Sequence, residues 1–181
     1  MAQRKSTVDE AYPGDIVGLP DNGIFKIGDT LTEGEDLHFR GLPSFSPELF
    51  KYIENDDPMK SKQFQKGLEQ LMNEGVAQLF VNQFNNRKIV GTVGQLQFEV
   101  IQYRLEHEYN AKCRWELVHL YKACWIEADD AAELDDFKKR KYQYMAKDTE
   151  GRDVFLADSG YMLQMAQQDF EHIKFHFTSE F

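Results

Sequence analysis

The sequence predicts an α+β fold: a ferredoxin-like (split β-α-β) domain with a C-terminal α/β extension, preceded by strands from the end of a β-barrel. Three observations predict it. Turn signals divide residues 1–40 into short β-type runs, residues 48–127 read strand, helix, strand, strand, helix, strand, and further helix and strand patterns follow to residue 181. We therefore expect a barrel segment at 1–40, a linker at 41–47 and an α+β domain at 48–181.

The composition limits the function classes. The chain has 181 residues, of which 41% are hydrophobic, enough for at least one buried core. Its formal net charge of -10 argues against independent, sequence-specific binding of nucleic acid, because affinity for phosphates comes from clustered Lys and Arg. The sequence has no apolar run of membrane-helix length and no signal-peptide pattern, so we expect a cytoplasmic location and no membrane partner.

The first segment alternates turn signals with short apolar runs. Pro13 and Gly14, residues 21–23 and residues 28–29 separate two β-type runs at 16–19 and 24–27. These runs predict antiparallel strands. The segment is too short for a domain of its own, because a few strands leave open edges and an incomplete core.

The next elements are a strand at 48–54 and a helix that ends near residue 74. Asp56 or Asp57 can cap this helix, Pro58 suits its first position, and Gly75 suits a left-handed residue after its end. Helical spacing predicts a buried face, made of Met59, Phe64, Leu68, Leu71 and Met72.

Two strands, 76–84 and 87–94, are predicted around a turn at Asn85 and Asn86. A second helix opens near Gln95, and its predicted buried residues are Leu96, Val100, Ile101 and Leu105. Residues 112–127 then read as one long strand, bent or straight.

The tail predicts a helix at 129–141, a loop at 148–151, a strand at 154–157, a helix at 160–172 and a strand at 173–178. These elements either join the same sheet or form a small annex, and the sequence has no internal repeat. Acidic residues at 129–137 followed by basic residues at 138–141 suit the dipole of the first tail helix.

The sequence has no pattern typical of a catalytic, cofactor-binding or metal-binding site. No glycine is followed by lysine, which excludes a phosphate-binding loop, and Gly91 and Gly94 suit a strand end and a helix entry. His172 and His176 are four residues apart, and in extended strand this spacing would separate them by about 13 Å, too far to share a metal ion. Cys113 and Cys124 read as buried free thiols. We therefore expect no enzyme activity in this chain.

Two motifs carry a resemblance to a known family. AYPGDIVGLPDNGIFKIGDTL, residues 11–31, resembles the end of the second domain of translational GTPases, and GTVGQLQFEVIQYRLEHEYN, residues 91–110, resembles a third-domain motif of elongation factor G. Within these GTPases, LPSFSPELF at 42–50, the tail, and Gln97 where elongation factor G tends to have His resemble the bacterial class II peptide chain release factors.

The resemblance implies a non-catalytic C-terminal part of a translational GTPase that promotes GTP-dependent dissociation of class I release factors from the ribosome after termination. It further implies that the GTPase domain, with its GTP and Mg²⁺, is absent from this chain. The implied partners are the ribosome and class I release factors.

Polar or cationic loop tips supply the candidate contact residues: Asn85, Asn86, Arg87 and Lys88 in the hairpin, and Lys138, Lys139, Arg140 and Lys141 in the tail. Turn chemistry explains the first set equally well, and a helix C-terminus explains the second. Three other functions stay open: an elongation-factor-G-like ribosome-binding module, a free-standing regulatory domain that binds a small molecule, and an enzyme with dispersed site residues.

Overall fold

The computed structural model describes residues 7–20, 29–35, 37 and 46–178. In these residues the chain forms eight strands and four α-helices. The first seven elements are β1 (Leu49–Asn55), α1 (Ser61–Asn73), β2 (Gln78–Asn82), β3 (Lys88–Thr92), α2 (Gln95–Glu108), β4 (Cys113–Leu117) and β5 (Lys122–Ala128). The remaining five are α3 (Ala131–Arg140), β6 (Met145–Lys147), β7 (Asp153–Ala157), α4 (Gly160–Asp169) and β8 (Ile173–His176).

The strands of the described residues make one antiparallel sheet in the order β4-β1-β3-β2-β6-β7-β5-β8. The order β4-β1-β3-β2 with two crossing helices is the split β-α-β arrangement, which confirms the predicted fold class. Read from the opposite edge, β8-β5-β7-β6 repeats the same order with α3 and α4. We call residues 49–117 the first unit and residues 122–176 the second unit.

The predicted C-terminal extension is therefore a second copy of the same topology, and it joins the same sheet. The two units meet where Val81 pairs with Lys147 and Asn82 pairs with Ala146. The expectation of no internal repeat holds for the residues but not for the topology. A split β-α-β unit requires a pattern of apolar faces rather than particular residues, so two units can share a fold without a visible sequence repeat.

All four helices cover one face of the sheet, and each unit has its own core beneath its helices. The first core includes Leu68, Leu71, Ile101 and Leu105, and the second centres on Phe137. A third cluster covers the opposite face and spans both units, with a row of rings from Phe50 through Phe80 to Trp125. Neighbouring ring centroids in this row lie 6.4 and 5.9 Å apart, within the range of favourable aromatic pairs.

Helix α1 begins and ends largely as predicted. Asp57 accepts a hydrogen bond from the Met59 backbone N–H at 3.0 Å, which caps a short 3-10 turn at Pro58–Lys60 that leads into α1. Gly75 has the predicted left-handed conformation, with φ of 70°. The predicted burial of Met59 is wrong, since this side chain is 90% exposed. Met59 lies in the 3-10 turn, whose tighter winding takes it off the buried face of α1.

Helix α2 buries Ile101 and Leu105, as predicted, but not Leu96 and Val100. Leu96 and Val100 are exposed, while Phe98, Ile101 and Leu105 are buried. Apolar residues at helical spacing occur on both faces, so periodicity does not decide between them. The Gln97 side chain contributes to that choice, because it accepts hydrogen bonds from the Val93 and Gly94 N–H groups and donates one to the Val76 carbonyl.

The predicted single strand at 112–127 is wrong. It divides into β4, at one edge of the sheet, and β5, in the second unit, with residues 118–121 between them. Val118 and Leu120 pack against the third cluster, which explains apolar residues in a connector.

The first segment lacks the predicted strand at 16–19, and the run at 24–27 lies outside the described residues. Ile16 and Leu19 are exposed, and no described residue pairs with them, so an isolated run of β-type residues does not form a strand. The turn beside it forms as expected, with Gly14 at φ 99° and a hydrogen bond from the Asp15 N–H to the Tyr12 carbonyl.

The predicted linker ends inside the packed domain. Pro47 is buried against Gly91, and the Glu48 N–H donates to the Thr92 carbonyl at 2.9 Å, which extends the β1–β3 ladder. Residues 41–45 lie outside the described residues, and the domain boundaries stay a prediction.

Candidate functional site

The two predicted contact segments lie beside the place where the units join, and the residues that flank them are in contact there. Asn82, 6% exposed, makes the link. Its side-chain N–H donates to the Gln143 carbonyl at 2.9 Å, and its side-chain oxygen accepts from the backbone N–H groups of Phe84 and Asn85 at 2.9 and 3.2 Å. One buried amide thus fixes the β2–β3 turn of the first unit to the segment after α3 in the second.

Two aromatic rings cap this link at the surface. Phe84 and Tyr142 pack edge to face with ring centroids 5.7 Å apart, and they are 55% and 49% exposed. We call residues 83–86 and 141–144 together the junction tip. Sequence reasoning missed Phe84, Tyr142 and Asn82, although an aromatic residue beside a polar turn could have drawn attention to the first.

The predicted residues Asn85 and Asn86 are exposed, and both take part in the turn itself. The Asn85 side chain accepts from the Arg87 N–H at 3.0 Å, and Asn86 has a left-handed φ of 56°, which Asn tolerates better than most residues. Turn chemistry therefore accounts for both residues without excluding a contact.

Arg87 lies against the helix-free face of the sheet. Its guanidinium donates to Glu54 at 2.6 Å and also to Glu116, and its carbon lies 3.7 Å from the ring centroid of Tyr52. Arg114 donates to the other oxygen of Glu54 at 2.7 Å. The hydrogen bond from Arg114 is the largest influence on the pKa of Glu54, and with Arg87 it outweighs partial burial and lowers that pKa. Arg87 is thus committed to internal ion pairs.

Lys88 points to the other face, towards α1. Its ammonium donates to the Gln65 side-chain oxygen and lies 5.7 Å from the ring centroid of Phe64. It lines an open groove of about 730 Å³ between α1 and the β2–β3 hairpin. The hairpin thus presents Arg87 and Lys88 to different surroundings.

In the basic run at the end of α3, some residues form ion pairs and others do not. Lys138 donates to Asp153 at 2.7 Å, and Lys147 donates to the other oxygen at 2.8 Å. Burial opposes ionisation of Asp153, but these two hydrogen bonds outweigh it and lower its pKa. Arg140 pairs with Asp136 at 2.9 Å. Lys139 and Lys141 have no acidic partner within the described part of the chain.

The charge pattern of α3 has the predicted explanation. Asp130 caps its first turn by accepting from the Ala132 N–H, and Lys138, Lys139 and Arg140 occupy its last turn. This arrangement complements the helix dipole.

The buried thiols predicted from sequence are confirmed. Cys113 and Cys124 are free and buried, one in the core of each unit, and burial raises both pKa values to about 12. His172 precedes β8 rather than lying in it, and His176 contacts Glu127 at 3.2 Å. Among the described residues, no group of His, Cys, Asp and Glu is arranged to hold a metal ion.

Comparison with known protein families shows which family this chain belongs to. Residues 39–167 match the model described as class II release factor RF3, C-terminal domain, and residues 1–34 match elongation factor G domain 2. The first match covers most of the chain and reaches from before β1 into α4. The chain belongs to the class II release factor RF3 family.

Both matched domains are non-catalytic parts of translational GTPases, which places the chain in translation termination and implies interaction with the ribosome. The resemblance of residues 11–31 and 91–110 is thus confirmed at the level of the family. No helix in the described ranges is long and apolar enough to cross a membrane.

The residues that carried the resemblance have structural roles in this RF3-family chain. Gly91 lies where a Cβ atom would be 2.7 Å from Pro47, so a side chain there would collide with the end of the predicted linker. Gln97 caps α2 and ties it to the segment after α1 by donating to the Val76 carbonyl. Two of the residues that carried the resemblance therefore have roles in packing and in helix capping.

Proposed function

We propose that this chain is the non-catalytic C-terminal part of a translational GTPase that promotes GTP-dependent dissociation of class I release factors from the ribosome after termination. The family match across both units is the observation that supports it. GTP and Mg²⁺ would be bound by a GTPase domain outside this sequence, and the site of action would be the cytoplasm.

The chain would contribute a stiff body that carries displacement from one end to another. Pro47 is packed on β3 through Gly91, and the row of Phe50, Phe80 and Trp125 continues from the first unit into the second. A well-packed core resists deformation, so a force applied at Pro47 would move the sheet as a whole. Nucleotide-driven rearrangement elsewhere could reach a partner at the junction tip in this way.

The junction tip is the contact surface that we propose for the ribosome. It exposes Phe84 and Tyr142 beside Lys141, and Asn82 holds its backbone in place. Aromatic residues are enriched at protein interfaces, and a pre-ordered loop loses less entropy when it binds. Arg87 is left out of this surface because it already binds Glu54 and Glu116.

The test is the rate at which a labelled class I release factor leaves post-termination ribosomes in the presence of GTP. The parent protein would be compared with a version cut before residue 45 and with the double variant Phe84→Ser/Tyr142→Ser. Tyr161→Ser is the matched control, since Tyr161 is an aromatic residue outside the tip that is exposed even more, at 73%.

We expect the truncation to abolish acceleration while GTP binding is retained. We expect the tip variant to reduce acceleration at limiting factor concentration and to recover at high concentration, because its defect is in binding. Full acceleration by the truncated protein would overturn the proposed function. Acceleration of tRNA movement in place of release-factor departure would instead favour the elongation-factor-G-like module.

A further inference from the structure

The groove between α1 and the β2–β3 hairpin concentrates positive charge in an acidic protein. The chain carries a formal net charge of -10, yet four cationic residues line this groove: Lys62, Lys66, Lys88 and Arg87, whose guanidinium turns away to the helix-free face. Four neutral polar residues line the same groove: Asn55, Ser61, Gln65 and Asn86. Cations and neutral hydrogen-bond donors together are the groups that bind phosphate oxygens.

Three of the four cations can still bind a ligand. Lys62 and Lys66 are exposed and have no acidic partner in the part of the chain that the structure describes. Lys88 uses one proton on Gln65 and retains two others. Arg87, in contrast, is occupied by Glu54 and Glu116.

Two carboxylates also line the groove, and each has an internal partner. Glu54 accepts from Arg87 and Arg114, at 2.6 and 2.7 Å. Glu69 accepts from Gln65, whose other amide atom binds Lys88. The arginines offset the charge of Glu54, so the lysines dominate the field that an approaching anion meets.

The spacing of the lysines suits a chain of phosphates rather than a single one. Lys62 and Lys66 are four residues apart on α1, which is a rise of about 6 Å along one helix face. Lys88 faces them from β3, across the groove. Cations on both walls at intervals of this size match a phosphodiester backbone lying along the groove.

We infer that this groove binds the sugar-phosphate backbone of RNA without reading its sequence. Ribosomal RNA is the source that the proposed function supplies, and in that respect the inference rests on it. Lysines act as point charges on phosphates, so the site would confer affinity and orientation rather than specificity. This agrees with the expectation of no sequence-specific nucleic-acid binding, because a local groove can bind a backbone that the whole acidic surface would not.

The experiment measures binding of the chain to labelled, protein-free ribosomal RNA by fluorescence anisotropy between about 50 and 200 mM KCl. Over this range, affinity that depends on phosphate contacts falls strongly as salt increases. The variants are Lys62→Gln/Lys66→Gln and the same pair with Lys88→Gln. Lys174→Gln is the matched control: Lys174 is 53% exposed and pairs with Asp129 at the other end of the sheet. Thermal unfolding checks each fold, and the double variant leaves the Lys88 contacts intact.

We expect the triple variant to lower affinity by about tenfold or more at 50 mM KCl, and to reduce the slope of log K against log salt by about two. The double variant should reduce that slope by about 1.4, and the control by almost nothing. A slope unchanged by the groove variants, or no RNA binding by the unmodified chain at 50 mM KCl, would overturn the inference.

Two further arms identify the ligand. If inorganic pyrophosphate binds in a groove-dependent manner while RNA binding ignores the groove, the site is for small phosphates and the inference is wrong. If the groove variants lose binding to whole ribosomes but not to protein-free RNA, the partner is an acidic protein surface and the inference is again wrong. These assays do not involve release-factor departure, so the proposed function can fail while RNA binding stands, and the reverse.

Discussion

Replacing Asp148 with alanine should remove a carboxylate of the second unit that accepts four hydrogen bonds. One oxygen of Asp148 accepts from the backbone N–H groups of Glu150 and Arg152 at 3.0 and 2.9 Å. The other accepts from the Trp125 indole at 2.9 Å and the Arg152 guanidinium at 2.8 Å. The Asp148 side chain is 7% exposed, so four donors converge on a nearly buried anion.

The loss of stability depends on which of these four donors can bind water once the carboxylate is removed. Trp125 is 1% exposed, so its indole N–H would lose its partner inside the core, at a cost of about 1–3 kcal/mol. The remaining donors lie nearer the surface and would each lose about 0.5–1.5 kcal/mol of net hydrogen bonding at most. We therefore expect Asp148→Ala to lower the free energy of unfolding by about 3 kcal/mol, or Tm by roughly 6–12 °C for a domain of this size.

The assay is urea denaturation followed by tryptophan fluorescence and by circular dichroism. Asp148→Asn should lose about 2 kcal/mol, because its oxygen can still accept from two backbone N–H groups but its amide nitrogen cannot accept from Trp125. Asp135→Asn is the control: Asp135 is exposed on α3, so the change should stay within about 0.5 kcal/mol. Equal stability of Asp148→Ala and this control would refute the reasoning.

The same carboxylate gives a pH dependence. Burial raises the pKa of Asp148, but hydrogen bonds from Trp125 and Arg152 outweigh it, and the net pKa lies below the ordinary value of 3.8. A lowered folded-state pKa means that the stabilisation is present above that ordinary value and is lost as the pH falls through the folded-state pKa. Between pH 5 and pH 2, the free energy of unfolding should therefore fall more steeply with decreasing pH for the unmodified chain than for Asp148→Asn.

Three other changes test the packing. Gln97→Ala should lower the free energy of unfolding by about 1–2 kcal/mol, because it removes the cap of α2. Gln97→Glu keeps the acceptor oxygen and should cost less. Equal losses of stability in urea denaturation would contradict the capping role. Gly91→Ala places a Cβ 2.7 Å from the Cβ of Pro47 and should cost about 1–3 kcal/mol, a loss that Pro47→Gly, which removes that Cβ, should partly reverse in a double-mutant cycle. Arg87→Glu should lower Tm, and less so in high salt, because it sets a third carboxylate beside Glu54 and Glu116; an unchanged Tm would show that these ion pairs do not stabilise the fold.

The first unit could be read from the sequence because its signals are local. Asp57, Pro58 and Gly75 mark the ends of a helix through backbone chemistry that acts within a few residues, and the turn around Asn85 does the same. The buried face of α2 could be predicted only in part: Ile101 and Leu105 are buried as expected, but Leu96 and Val100 have the same helical spacing and are exposed. Contacts with residues distant in sequence determine which apolar residues of α2 are buried.

The second unit and the contact surface depended still more on distant contacts. The break at 118–121 is hidden by apolar residues that pack on the third cluster, so it looks like continuous strand. Asp148 reads as an ordinary loop residue until Trp125 comes beside it. The pairing of hairpin and helix end at the junction tip depends on Asn82 reaching Gln143, 61 residues away, which no local pattern specifies.

The junction of β2 and β6 has the symmetry of a homodimer interface. These two strands hold equivalent positions in their units and pair antiparallel, with the helices of both units on the same face, so a twofold axis perpendicular to the sheet relates one topology to the other. Residues 118–121 join what would otherwise be separate subunits. The chain thus has the arrangement of a dimer within a single polypeptide, in which the two halves differ in their residues: one half carries the cationic groove and the other carries the Asp148 carboxylate. A unit cut out alone would expose an unpaired strand where its partner now lies.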